Sequence, residues 1–417
     1  MTSQRFAVLG AGMVGVACAL ELQARGHVVT LIERTRPAAE TSHGNAGVVA
    51  RSSLMPLNNP GLWAQLPTLL KNRSAALRYN PGFLMRHPMW GLDFLRNARA
   101  SVFEATAQAL DALIRLSIAR HRHWTQRAEA QALWRDQGWL YAYREAQACA
   151  QAANVRAVWS RWGVDHAVLD REALQQLEPA LGGAFAAAVW VKDAQSVASP
   201  RQLVQAYADT FVRQGGTLQT DECRALLPAE GGGWNLQCAH VGEQRFDQVV
   251  VALGPWSPDL LAPLGLKVPM AFERGYHQHY GWSGGLPLTR PVYDTAAACV
   301  LSPMTEGVRL TTGVELTDRD APDRLVQLNL AEASVRKVLP LGERLEGGHW
   351  RGSRPTLPDS RPVIGPATDR AGLWLAFGHQ HIGFSTGPGT AALLGALVDG
   401  EAPAIDARPF APGRFRL

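Results

Sequence analysis

The sequence predicts an α/β protein built on a doubly wound, Rossmann-like nucleotide-binding domain, and three observations carry that expectation. Residues 5–33 read as a βαβ unit closed by a glycine turn, a second buried-strand signature stands at Val249 to Leu253, and a glycine-studded stretch from Gly378 to Gly389 opens a closing helix. At 417 residues the chain exceeds what one hydrophobic core organises, so two interlocked domains are expected.

Arg5 to Leu9 is a short apolar run that ends in glycines, as a buried parallel strand does when it enters a phosphate-binding turn. The turn is Gly10-Ala11-Gly12-Met13-Val14-Gly15. Gly10 and Gly12 let the backbone approach a pyrophosphate, and Gly15 permits close packing of helix on strand. A helix rich in Ala, Val and Leu follows from Met13 and stops at Gly26. Its N-terminus offers unpaired N–H groups and a positive dipole end to phosphates. Val28 to Ile32 is the second strand, and Glu33 at its end is placed to accept from ribose hydroxyls. These residues specify a dinucleotide without separating FAD from NAD.

Farther on, Thr41 to Asn59 is rich in small and polar residues and reads as a long loop crossing over a cofactor. Residues 60–190 are mostly helical in pattern. Ser199 is a plausible N-cap with Pro200 as the first helical residue. Residues 266–352 read as strand-rich, with alternation in Tyr276-His277-Gln278-His279-Tyr280.

Composition narrows the function. With 47% hydrophobic and 18% charged residues the chain is that of a globular enzyme and not of a disordered one. The formal charge is +5, yet Lys and Arg form no block, and the densest run, Arg115, Arg120, Arg122 and Arg127 around His121 and His123, reads as a solvated helix face. No nucleic-acid partner is expected. Five Cys without a Cys-x-x-Cys pair fit neither a disulfide framework nor a thiolate zinc site. The His277-x-His279 and His379-x-His381 pairs lack Asp, Glu or Cys at ligand spacing, so no metal is expected. Free thiols and the lack of a leader before Arg5 point to a cytoplasmic protein, at most peripheral to a membrane.

Five segments together resemble the D-amino acid oxidase superfamily of FAD enzymes: Glu40 to Gly47, Val249 to Ser257, Gly275-Tyr276-His277, Arg354 to Gly365, and Gly378 to Gly383. The resemblance covers about residues 5–405 and is strongest to bacterial D-amino acid dehydrogenases, the group that includes enzymes acting on D-proline and D-hydroxyproline. It implies an FAD domain assembled from 1–55, 193–265 and 355–417, with an inserted mixed α+β substrate domain from 56–192 and 266–354. It places Gly12, Gly15, Glu33, Arg34, Ser42, His43, Asn45, Ala46, Gly47, Cys223, Gly254, Gly378 and His379 at the FAD. Gly383, Phe384 and Ser385, opening the last helix, are placed where negative charge develops on the reduced flavin.

The resemblance also implies oxidation of the Cα–N bond of a D-amino acid to an imine by hydride transfer to flavin N5. Arg354 takes the role of carboxylate anchor, because a planar guanidinium binds a carboxylate through two charge-assisted bonds. Tyr276 and His381 are assigned to the active-site wall. Sarcosine oxidases tether flavin through a Cys near the position of Gly352-Ser353-Arg354, but no Cys follows Cys299 here, so noncovalent FAD is expected. The alternatives are an oxygen-using oxidase of glycine or sarcosine and a flavin-bearing subunit of a multimeric dehydrogenase. Apolar residues from Leu62 to Leu95 alternate with Arg73, Arg78, Arg86 and Arg96. Core helices explain that texture most simply; a membrane surface used in passing electrons to a quinone is the other reading.

Overall fold

Why Phe6 and Val8 lie in one core while Ala7 and Leu9 lie in another follows from the two-residue period of a strand buried on both faces. The computed structural model describes residues 3–417. Arg5–Leu9 is central in a six-stranded sheet, ordered Thr217–Thr220, Val28–Glu33, Arg5–Leu9, Gln248–Val251, Leu373–Phe377 and Val363–Pro366. The first five strands are parallel and the last is antiparallel. On one face pack the helices Met13–Ala24, Ala100–Arg127, Pro200–Arg213 and Gly383–Val398. The other face is covered by a three-stranded antiparallel sheet, through Leu226, Trp234, Leu236 and Phe246, and by the short helix Ser257–Leu261. The Ser199 side chain accepts from Gln202 N–H and caps its helix, with Pro200 at the first position.

A larger mixed sheet of eleven strands faces this unit. Its long strand, Ala271–Trp282, pairs with Gly307–Thr311, Val314–Leu316, Leu341–Arg344 and Trp350–Thr356. The sheet continues through Cys299–Met304, Val292–Asp294, Trp139–Tyr143, Ala187–Val191 and His166–Asp170. Trp139–Tyr143 and His166–Asp170 lie inside residues 60–190, the stretch expected to be mostly helical, and Ala187–Val191 closes it. Trp139 to Tyr143 is aromatic at three of its five positions, a strand composition masked by the long helices around it.

The basic run between Arg115 and Arg127 is helical, but it is not wholly a solvated face. His121 is fully buried and bonds to Tyr207 and to the carbonyl of Phe384. Residues 41–59 form turns with one two-residue strand, Val48–Val49, and a short 3-10 turn at Arg51–Leu54.

Candidate active site

Between the two sheets lies a cavity of about 840 Å³. At one end it is walled by Gly10, Gly12, Met13 and Val14. Gly10 sits at φ +97°, and a Cβ there would stand 2.8 Å from the Ala252 carbonyl oxygen. Gly15 lies under the turn, where a Cβ would fall 1.8 Å from the Gly10 oxygen, so only glycine lets the helix sit this close to the strand. The helix has no acidic residue in its first turn and no capping side chain of its own; Met13 N–H donates to Ser42 Oγ at 2.9 Å. Glu33 accepts from Ala11 N–H at 2.8 Å, which aims its carboxylate along the same wall.

Arg34, Ser42, Asn45, Ala46, Cys223 and Gly254 also line the cavity. Trp256, which no sequence pattern marks as a site residue, lies with its ring 4.1 Å under the Arg34 guanidinium and forms part of the wall. Four of the residues expected at the FAD are not on the wall. Gly15 and Gly47 support the backbone behind it, Gly378 turns against Leu357, and His43 lies off the wall, its ring stacked 5.8 Å from His277 and tilted 5.8 Å from Trp350.

The other end of the cavity is roofed by the large sheet. Strand register places His277 opposite Thr311, Thr311 opposite Val300, Val300 opposite Tyr293 and Tyr293 opposite Tyr141, so these side chains share one face. Thr311, Val300, Tyr293 and Tyr141 line the cavity from it. On the same face, and directly paired across two strands, are Glu273 with Arg354, Gly275 with Gly352, and His277 with Trp350.

The parity of this strand removes Tyr276 from the active-site wall. It points to the opposite face, into a buried network in which its hydroxyl donates to Glu315 Oε2 at 2.8 Å and accepts from Arg324 N–H at 3.1 Å. Its neighbour Gly275 faces the cavity instead. A Cβ on Gly275 would stand 2.3 Å from Arg354 Nη2, so the missing side chain is what lets the guanidinium lie flat over the strand. Arg354 donates only to the carbonyls of Gly313 (3.3 Å) and Thr312 (3.5 Å). Burial lowers its pKa, and the Glu273 carboxyl, across the strand pair, acts in the opposite direction. Glu273 is itself buried, and burial pushes its pKa up to about 7. The guanidinium thus carries a charge, faces an enclosed space, and keeps donors free for an anion.

Residues 5–397 match the family model described as FAD dependent oxidoreductase. The chain belongs to this family. It is 29% identical to a D-amino-acid oxidase of Bradyrhizobium diazoefficiens over 98% of each chain. It is 31% identical to a D-amino acid dehydrogenase of Rhizobium johnstonii over 98% of this chain and 99% of that one. Among solved structures it shares its fold with glycine oxidase from Geobacillus kaustophilus, at a TM-score of 0.71, 22% identity and 98% coverage of both chains.

As an FAD-dependent oxidoreductase the protein has FAD as its cofactor, and the cavity fits it. The glycine turn and the open helix end suit the pyrophosphate, and Glu33 suits a ribose. At the far side Gly383, Phe384 and Ser385, the first turn of the last helix, line the cavity without an acidic residue or a capping side chain. This helix contains Pro388, which has no N–H to give to the Phe384 carbonyl four residues earlier. His121 supplies the missing donor through Nε2 at 2.9 Å.

The two histidines before the helix differ. His379 lines the cavity, but its Nε2 is engaged with Thr390 Oγ1 at 2.9 Å. His381 projects its ring into the cavity, so it is accessible from within while enclosed by the protein; burial, and then Arg354, lower its pKa to about 4. Among the described residues no cluster of His, Cys, Asp and Glu could hold a metal ion.

Proposed function

We propose that this enzyme oxidises the Cα–N bond of a D-amino acid to an imine, with the substrate carboxylate held by Arg354. The observation that carries the reading is the guanidinium lying over Gly275, bonded only to backbone carbonyls and open to the cavity. FAD supplies the two-electron acceptor when bound. Arg354 fixes the carboxylate through two charge-assisted bonds, which orients the Cα–N bond and makes positioning the main contribution of the protein. His381, neutral at physiological pH, adds no second cation against the substrate amine and offers a lone pair instead. Leu57, Ala76 and Val314 line the cavity with Arg354, and D-proline and D-hydroxyproline, to which the resemblance points, are the candidate substrates.

The D configuration is supported by the names of the relatives. Residues 1–55, 193–265 and 355–417 are read as the FAD domain, and 56–192 with 266–354 as the substrate domain. FAD is held noncovalently in this reading, since no Cys follows Cys299. A quinone at a membrane surface is the proposed acceptor.

Anaerobic mixing of the FAD-loaded protein with both enantiomers of proline, hydroxyproline, alanine and phenylalanine tests this reading. Bleaching of the flavin by D enantiomers is expected, and no bleaching by any of them would overturn it. Peroxide yield measured against reduction of an artificial dye then separates an oxidase from a dehydrogenase.

A further inference from the structure

The buried arginines Arg274 and Arg290 are paired with Glu315 and Glu178, as a charge enclosed by protein requires. Arg309 is only 1% exposed and forms no salt bridge among the described residues. It stands on Gly307–Thr311 in one cross-strand row with His279 and Ser302, on the face of the large sheet that looks toward the cavity. Its Nε donates to His279 Nε2 at 3.0 Å, so that imidazole is neutral. Its Nη1 donates to the carbonyls of His43 at 3.1 Å and Asn45 at 2.7 Å. Burial lowers its pKa to about 10, with Glu306 acting in the opposite direction, which leaves the guanidinium charged at neutral pH.

The loop held by these bonds runs along the cavity from the phosphate helix to the last helix. Ser42 accepts from Met13 N–H at one end, and at the other Ser385 Oγ donates to the Val48 carbonyl at 3.0 Å. Between those anchors His277 Nδ1 donates to the Gly44 carbonyl at 3.0 Å and Ser302 Oγ to the Ala46 carbonyl at 2.7 Å. Every carbonyl from His43 to Ala46 is therefore taken by a side chain of the large sheet. The N–H groups of Gly44, Asn45 and Ala46, by contrast, have no protein acceptor among the described residues, and all three residues line the cavity. A planar trans peptide points its N–H opposite to its C=O. The three peptide units whose oxygens Arg309 and His277 hold are thus the three that turn unpartnered N–H groups toward the cavity.

We propose that Arg309 is a positioning residue that raises the reduction potential of the flavin through this loop. Its charge polarises the peptides 43–44 and 45–46, and a hydrogen bond at the carbonyl end strengthens the N–H at the other end as a donor. Successive N–H groups of this kind form a concavity for negative charge, and donors fixed in advance where charge develops stabilise it without reorganisation. A hydride brings two electrons and one proton, so the flavin gains one negative charge on reduction. That charge is the counter-ion Arg309 otherwise lacks. His277 acts on peptide 44–45 in the same direction as a neutral donor, with a smaller effect. The inference rests on FAD as the cofactor and is independent of the substrate and of Arg354.

Redox titration of the FAD-loaded protein against a reference dye, together with titration of oxidised FAD into the apoprotein, tests the proposal. Arg309→Met should weaken the binding of reduced flavin at least about tenfold more than that of oxidised flavin, which is a fall of about 30 mV in the two-electron potential. Arg309→Lys keeps the charge and should recover most of that fall. His277→Phe keeps the ring that stacks 5.0 Å from Trp350 but removes the donor to Gly44, and should lower the ratio about threefold, or about 15 mV. Equal losses of affinity for the two redox states in Arg309→Met, with the potential unchanged, would make Arg309 a purely structural residue and overturn the idea. So would a Lys variant with a potential as low as that of the Met variant. If Arg309→Met does not retain FAD, His277→Phe decides, and a parental potential in that variant overturns the proposal.

Discussion

His121 Nε2 stands 2.9 Å from the carbonyl oxygen of Phe384, 263 residues away in the chain, and replaces the helix bond that Pro388 cannot make. The imidazole is fully buried, and burial lowers its pKa to about 4, so it donates as a neutral ring. It thereby fixes the turn of the last helix that faces the cofactor. His121→Ala leaves a buried carbonyl without a partner, at a cost of about 1–3 kcal/mol. Thermal unfolding with and without FAD should show a lower Tm in both states and a weaker FAD Kd. An unchanged Kd would show that the bond does not position the helix.

Arg354 and Gly275 should behave as one unit. Gly275→Ala puts a methyl where Nη2 lies, and the displaced guanidinium should raise KM for the amino acid by about tenfold or more while FAD binding is kept. Arg354→Ala removes both bonds to the carboxylate and should lower kcat/KM by at least about a hundredfold. Steady-state kinetics checks both. A Gly275→Ala enzyme with parental KM would mean that the carboxylate sits elsewhere.

Tyr276→Phe provides the contrast. The hydroxyl serves the Glu315 network on the far face of the sheet, so the change should lower Tm and leave kcat/KM within about twofold. A large fall in kcat with unchanged Tm would return Tyr276 to the active site.

Stability should fall in mild acid. Six histidines, His43, His121, His277, His279, His379 and His381, have pKa values lowered to between about 2 and about 4, in each case chiefly by burial. A histidine lowered in the folded state contributes stability that is present above its ordinary pKa of 6.5 and lost as the pH falls toward the folded value. Glu273 acts the other way, since its raised pKa gives stability below 4.5 that is lost as the pH rises through about 7. Six groups outweigh one, and urea midpoints should drop steadily from pH 6.5 to 4. Glu273→Gln should remove a separate effect, the weakening above pH 7 of the binding of a simple carboxylate that lacks an amine. Calorimetric titration of that ligand across pH 6 to 8 measures it.

The nucleotide end was legible because its parts are contiguous. A strand, a glycine turn, a helix and an acid within 33 residues fix each other by local geometry, and Gly10 and Glu33 stand where that pattern puts them. Trp256 escaped notice, since nothing in the chain brings it under Arg34. Tyr276 was misplaced by one residue, and in a strand a shift of one exchanges the two faces. The strand Trp139–Tyr143 was lost among helices for want of a neighbour to pair with.

By itself, then, the sequence determined the βαβ unit, its phosphate turn and the FAD family, because steric and hydrogen-bonding requirements act there between residues close in the chain. The tertiary structure alone decided the substrate end. Arg354 becomes an anion site only when Gly275, 79 positions earlier, passes beneath it, and the Phe384 carbonyl in the first turn of the last helix finds its donor in the distant His121. Both depend on strand parity and on packing between distant segments, which no local pattern encodes.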